Sequence, residues 1–143
     1  MNRTVLRVTC ALVVNEGKVL AARRGPGMDH AGKWEFPGGK VKEGETPGAC
    51  VVRELREELG IVIEVLRALP PLRHDYPHRS IELLPFVCAL AGGTLSVTEH
   101  REARWCGWEE LDGLDWAEAD ARIVRRDVNP ASSEKLFFSM KPG

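Results

Sequence analysis

The segment "RELREELGI", Arg53 to Ile61, sets Glu54, Glu57 and Glu58 three and four residues apart. On a helix, such like-charged neighbours repel at a cost of about 0.2–0.5 kcal/mol per pair. With Glu54 at zero and about 100° per residue, Glu57 falls near −60° and Glu58 near +40°. The same geometry puts Val51, Val52, Leu55 and Leu59 on an adjoining arc from roughly 60° to 160°. The carboxylates thus line the edge of a buried face, where desolvation and mutual repulsion favour holding protons. A hard divalent cation removes that conflict. Mg²⁺ or Mn²⁺ takes oxygen ligands, keeps several waters and bridges carboxylates to substrate phosphates. From the helix alone, a merely solvated acidic face competes with this account.

The element carrying the stripe has explicit ends. Thr46 is an N-cap, Pro47 sits where the first helical residue needs no amide donor, and Gly60 is a C-terminal stop. Upstream, "VLRVTCALVV" and "VLAARR" read as strands around the turn "NEGK", a hairpin over residues 5 to 24. "GPGMDHAGK" reads as a mobile loop and "WEFPGG" as a short strand. Downstream, "IVIEVLRAL" is a strand, and "HDYPHRSIELLPFVCAL" is two strands around a turn at Pro77–Ser80. "AGGTLSV" is read as a turn and strand, "ARWCGW" as a further short strand, and "AEADARIVRRDV" as a second helix. This order predicts an α+β fold, a mixed sheet flanked by helices in an α/β/α sandwich. Residues 1–130 are expected to form a single domain. The breaker-rich segment 131–143 is expected to be a partly disordered tail.

Composition narrows the partners. The 143 residues are 43% apolar and 29% charged, with a formal net charge of −1. A grip on long nucleic acid shows a basic excess that is missing here, so a polyanionic ligand must be met by a few arginines or by metal. Cys10, Cys50, Cys88 and Cys106 lie far apart without zinc-site spacing, which fits reduced thiols in the cytosol. The first apolar stretch is too short for a membrane span and lacks a signal-cleavage pattern. A cytoplasmic protein is expected, with no membrane partner.

Gly39, then five residues, Glu45, then seven residues and "REUXEEXGU" (U apolar) from Arg53 to Ile61 satisfy every position of the Nudix box. The sequence resembles the Nudix hydrolases, which split a nucleoside diphosphate linked to a further group. The resemblance implies Glu54, Glu57 and Glu58 as metal ligands, Arg53 as their orienting cation and Glu45 as support. It also implies a carbonyl from the Gly38–Gly39 turn as an extra ligand. "AGKWEFPGGKVKEGETP" is similar to the MutT group and its cytidine-triphosphate relatives, which implies a nucleoside triphosphate cleaved to monophosphate and pyrophosphate with Mg²⁺, or Mn²⁺, as cofactor. A nucleotide-pool sanitising role on 8-oxo-dGTP or on modified or unmodified cytidine triphosphates follows.

Outside the box, the resemblance implies Glu99, on the loop before Trp105, as a metal-associated carboxylate and candidate base. A box glutamate is the other candidate for the base, and Glu102 replaces Glu99 if the register shifts. Arg23 and Arg24 end the second strand, facing the loop over the expected cleft and expected to bind substrate; the resemblance places a substrate-side arginine at Arg24 and another at Arg79. Phe36 offers a ring for the base to stack on, whereas Trp34 is read as core. Asp120 stands where MutT proper has an asparagine that reads oxidised guanine. An ionised carboxylate only accepts, which suits an exocyclic amine such as that of cytosine; a protonated one does more. His30, His74, His78 and His100 lack ligand spacing and are read as surface or hydrogen-bonded residues. The competing functions are hydrolysis of another nucleoside diphosphate derivative, such as ADP-ribose or capped RNA, and a non-catalytic binding domain. The resemblance implies a monomer.

Overall fold

The computed structural model describes residues 4–128. The elements run β1 (Val5–Asn15), β2 (Lys18–Arg23), β3 (Trp34–Glu35), β4 (Gly38–Lys40), α1 (Pro47–Leu59), β5 (Ile61–Ala68), β6 (Leu72–Asp75), β7 (Ser80–Gly93), β8 (Glu102–Cys106), α2 (Trp108–Leu111) and α3 (Glu118–Asp127). The expected hairpin is present as antiparallel β1–β2, with Val14 opposite Val19. The central pairing is non-local: β1 lies parallel to β7 from Val5↔Ser80 to Val14↔Ala89. Sheet order is β3-β2-β1-β7-β5, with β4 on β1, β6 on β7 and β8 on β2.

The alternation of β1 explains the three layers. Its odd and even residues point to opposite faces of the sheet. Cys10, Leu12 and Val14 join one core with Ala119, Ile123 and Val124 of α3. Ala11 and Val13 join the other with Val51, Leu55 and Leu59 of α1. One strand, buried on both faces, therefore carries a helix on each side.

α1 begins and ends as its residues require. The Thr46 hydroxyl accepts from the Ala49 amide at 3.2 Å, Pro47 opens the helix, and Gly60 closes it at φ 70°. This rigid helix, packed by Leu55 and Leu59 at 0% exposure, fixes the acidic stripe at the sheet's edge.

Two readings need correction. Residues 94–97 form no strand, because β7 extends through Gly93 and the chain then crosses irregularly to β8. The base of the loop 25–33 carries backbone hydrogen bonds, from Arg24 N–H to Lys33 O at 2.8 Å and Gly32 N–H to Arg24 O at 2.9 Å. The short helix α2 was not expected. The anticipated tail, 131–143, lies outside the described residues. Among the described residues no helix is long and apolar enough to cross a membrane.

Leu55→Ala should destabilise the fold by about 2–5 kcal/mol, the usual cost of a buried leucine side chain and the cavity it leaves. Urea unfolding followed by circular dichroism measures this; a loss below about 0.5 kcal/mol, the level of a surface change, would contradict the packing of α1 on the sheet.

Candidate active site

Arg53 organises the acidic end of α1. Its Nε and Nη2 donate to Glu45 at 2.7 and 3.0 Å, and its Nη1 donates to Glu54 at 2.9 Å and Glu57 at 3.0 Å. The guanidinium holds Glu45 down to about 2, and the surrounding carboxylates raise the pKa of Arg53 itself. Glu45 also accepts from the Lys42 amide at 3.1 Å, which ties the loop before the helix to the helix. Gly39 lets this arrangement close, because a Cβ there would overlap the Glu54 carboxyl group. The Gly39 carbonyl accepts from the Thr9 hydroxyl at 3.1 Å.

Glu58 is the member of the stripe that Arg53 does not satisfy. One carboxylate oxygen is buried without a hydrogen-bond partner. Burial first, then the charges of Glu35, Glu54 and Glu99, push its pKa up to about 8. An uncompensated buried carboxylate is costly. Among the described residues no three acid, histidine or cysteine side chains converge as they stand into a metal cage. The reason is visible: Glu54 and Glu57 are turned onto Arg53. The donor set nonetheless fits a hard cation, since it is all oxygen and one Glu58 oxygen is buried without a hydrogen-bond partner.

Glu58 opens onto a cavity of about 590 Å³ whose lining also includes Gly38, Gly39, Arg24, Arg79, Glu35, Phe36 and Asp120. That volume suits a nucleotide-sized ligand. Arg24 pairs with Glu35 and donates to the Asp29 carbonyl. Arg79, exposed at the turn between β6 and β7, faces it across the opening. At the far end Asp120, 8% exposed on the first turn of α3, accepts from the Phe36 amide at 2.9 Å. Burial, with the Glu35 charge second, pushes Asp120 up to about 8. At neutral pH its carboxyl is mostly protonated and can donate as well as accept.

Other expected residues fall differently. Arg23 does not line the cavity; it donates to the Gly32 carbonyl at 3.0 Å and lies 3.8 Å from Glu102. It stands at the end of β2, opposite Glu102 of β8. Phe36 lines the cavity but is only 2% exposed, with its ring stacked on Trp116 at 4.6 Å, so it is a wall from within the core. Trp34 is core, as expected, with the Arg104 guanidinium 5.0 Å above its ring. Glu99 lies on the exposed loop before β8, close enough to Glu58 to raise its pKa. Glu102, on β8, is paired with Arg23 and Arg104. Glu35, on the cavity wall, and its partner His100 were not among the expected site residues. Glu35 sits between the Glu58 and Asp120 ends and accepts from Arg24 and His100. A lone charge between Trp34 and Phe36 in an otherwise apolar strand was the available signal.

Residues 3–127 match the NUDIX domain family, and the chain belongs to it. It is a Nudix hydrolase by that membership. It is 38% identical over 84% of its length to a CTP pyrophosphohydrolase of Escherichia coli K12, covering 89% of that protein. It is 32% identical over 90% to an 8-oxo-dGTP diphosphatase of Haemophilus influenzae, covering 96% of that protein. The solution structure of the E. coli ORF135 protein superposes with a TM-score of 0.74 at 34% identity, over 90% of this chain and 96% of the other. A MutT protein from Methanosarcina mazei Go1 shares the fold with a TM-score of 0.77 at 24% identity, over 99% of both chains. Nudix hydrolases generally need divalent metal ions.

The Asp120 proton has a measurable consequence. Its folded pKa, about 8, lies above the ordinary value of 3.8, so the folded state holds a proton that the unfolded state releases between those values. Stability contributed by the neutral carboxyl is complete below about pH 4 and lost as pH rises toward 8. Asp120→Asn removes that dependence. In EDTA, the stability of the native protein relative to the variant should fall by about 1.4 kcal/mol per pH unit across that window. A flat difference in urea midpoints would show that Asp120 is already ionised.

Proposed function

We propose that the protein hydrolyses (deoxy)nucleoside triphosphates to monophosphate and pyrophosphate, acting on damaged or modified nucleotides of the MutT kind. The observation that carries this reading is Glu58: a buried carboxylate with a vacant oxygen, on the wall of a nucleotide-sized cavity that also presents Arg24 and Arg79. The names of the two relatives, one acting on CTP and one on 8-oxo-dGTP, support it. Glu54, Glu57, Glu58 and Glu99, with the Gly38–Gly39 backbone, would hold Mg²⁺ or Mn²⁺. When bound, the cations neutralise charge spreading onto the phosphoryl oxygens and make water a better nucleophile.

The chain's own groups do the rest. Arg24 and Arg79 hold the phosphate chain across the cavity mouth and place the inner phosphorus beside the acidic edge. Arg53 orients Glu54 and Glu57. Glu99, or a box glutamate, accepts the proton of the attacking water as pyrophosphate leaves. The base enters toward Asp120 along the Phe36 wall. In its neutral form Asp120 reads keto as well as amine edges; ionised, it only accepts. The ranking of bases by kcat/KM should therefore shift on either side of about pH 8 in the native protein, and not in Asp120→Asn. Four buried free cysteines fit a monomer working in the reducing cytosol.

Pyrophosphate release from 8-oxo-dGTP, dGTP, CTP, 5-methyl-dCTP and 2-hydroxy-dATP, with and without EDTA, tests this reading. Activity should vanish in EDTA and return with Mg²⁺ or Mn²⁺. Glu58→Gln should lower kcat by more than the roughly 10- to 100-fold typical of a residue that only supports a metal ligand. Phosphate release without pyrophosphate, or full turnover by Glu58→Gln, would sink it.

A further inference from the structure

We infer that His100 is a positioning residue: through its hydrogen bond to Glu35 it seats the loop that carries Glu99 beside Glu58. The inference rests on the reading of Glu99 as part of the acidic centre. Residues 94–101 have no regular secondary structure, and Glu99 itself is exposed. Something other than a strand ladder must therefore hold it near Glu58. The His100 side chain is 1% exposed, and its Nε2 lies 2.7 Å from Glu35 Oε2. Facing an acceptor, Nε2 carries the proton and donates. Its Nδ1 is then left buried and without a partner.

That orphan acceptor is a cost to folding. An aliphatic side chain would fill the same space without incurring it, so packing alone gives no reason for an imidazole here. The hydrogen bond to Glu35 does. Glu35 in turn pairs with Arg24, so the chain His100–Glu35–Arg24 ties the Glu99 loop to the cavity wall. Two backbone features clamp the same loop from its flanks. A Cβ on Gly25 would overlap the Glu99 carbonyl oxygen, and the Arg101 amide donates to the Arg23 carbonyl at 2.8 Å. These flanking contacts fix where the loop passes. His100 fixes its rotation, with the imidazole turned inward onto Glu35, while the Thr98 hydroxyl two residues earlier donates to the Glu58 carbonyl at 3.3 Å.

The test compares His100→Leu, which keeps apolar bulk but has no donor, with His100→Gln, whose amide can donate to Glu35. Steady-state kcat and KM are measured alongside Mn²⁺ affinity of the nucleotide-free protein by paramagnetic resonance. His100→Leu should lose about 10- to 100-fold in kcat and in Mn²⁺ affinity, with KM for the nucleotide little changed. His100→Gln should recover most of both. If the leucine variant folds with native kcat and Mn²⁺ affinity, or if glutamine rescues thermal stability but neither of these, the proposal is overturned. Should His100→Leu not fold, His100→Asn replaces it; one methylene shorter, it cannot reach Glu35, and equal kcat for Asn and Gln overturns the proposal. Glu58→Gln, run in parallel, separates the two levels. If that variant is active, the proposed reaction centre itself fails. If it is inactive while His100→Leu is fully active, only the role of His100 fails.

Discussion

A single guanidinium set among three carboxylates holds this site in shape. Arg53 contacts Glu45, Glu54 and Glu57 with all three of its nitrogens, and its planar fork suits that task as a lysine would not. Without it, the stripe on α1 would repel itself and the loop preceding the helix would lose its anchor. With it, one positive charge is shared among three negative ones. The charge balance is deliberately incomplete, because Glu58 is left outside the arrangement. Structural pairing thus stabilises most of the acidic cluster and leaves Glu58, whose pKa burial pushes up to about 8, without a share of that counter-charge.

The cavity repeats this economy at its other end. Asp120 is buried, held by backbone amides including that of Phe36, and burial favours a proton there over a charge. Two carboxyl groups, Glu58 and Asp120, are both pushed upward by burial first. They would answer that pressure by different means. At Glu58 the proposed remedy is a bound metal; at Asp120 it is protonation, which leaves a group able to donate to a base edge. Similar desolvation, in different surroundings, yields a site for charge at one end and for hydrogen-bond reading at the other.

What the sequence made legible was whatever is encoded within one element or its flanks. The cap at Thr46, the stop at Gly60, the face carrying Leu55 and Leu59, and the hairpin turning at residues 16–17 all follow from local periodicity and turn chemistry. The acidic stripe was readable for the same reason, since i, i+3 and i, i+4 spacing on a helix fixes relative direction. Contacts made across the chain were not. His100 meets Glu35 over 65 positions and Asp120 meets the Phe36 amide over 84, and no local pattern specifies either. The absent strand at 94–97 has a related cause: β7 runs on through Gly93, opposite Ile61, and the chain beyond it crosses to β8 without a ladder partner. Arg23 and Arg24, adjacent in sequence, part in the fold, Arg23 lying beside Glu102 and Arg24 pairing with Glu35 on the cavity wall.

Glu35 shows why the two ends of the cavity cannot be treated as separate devices. Its charge raises both Glu58 and Asp120, and its oxygens are committed to Arg24 on one side and His100 on the other. At such short range inside a poorly solvated cleft, Coulomb interactions are screened far less than on the surface. Any change that neutralises Glu35 or turns it away would ease the burial of both carboxyl groups at once. It would also free Arg24 and unseat the loop bearing Glu99. A residue that touches neither the helix stripe nor the α3 carboxyl can therefore set the properties of both, because it holds the one negative charge they share as a neighbour.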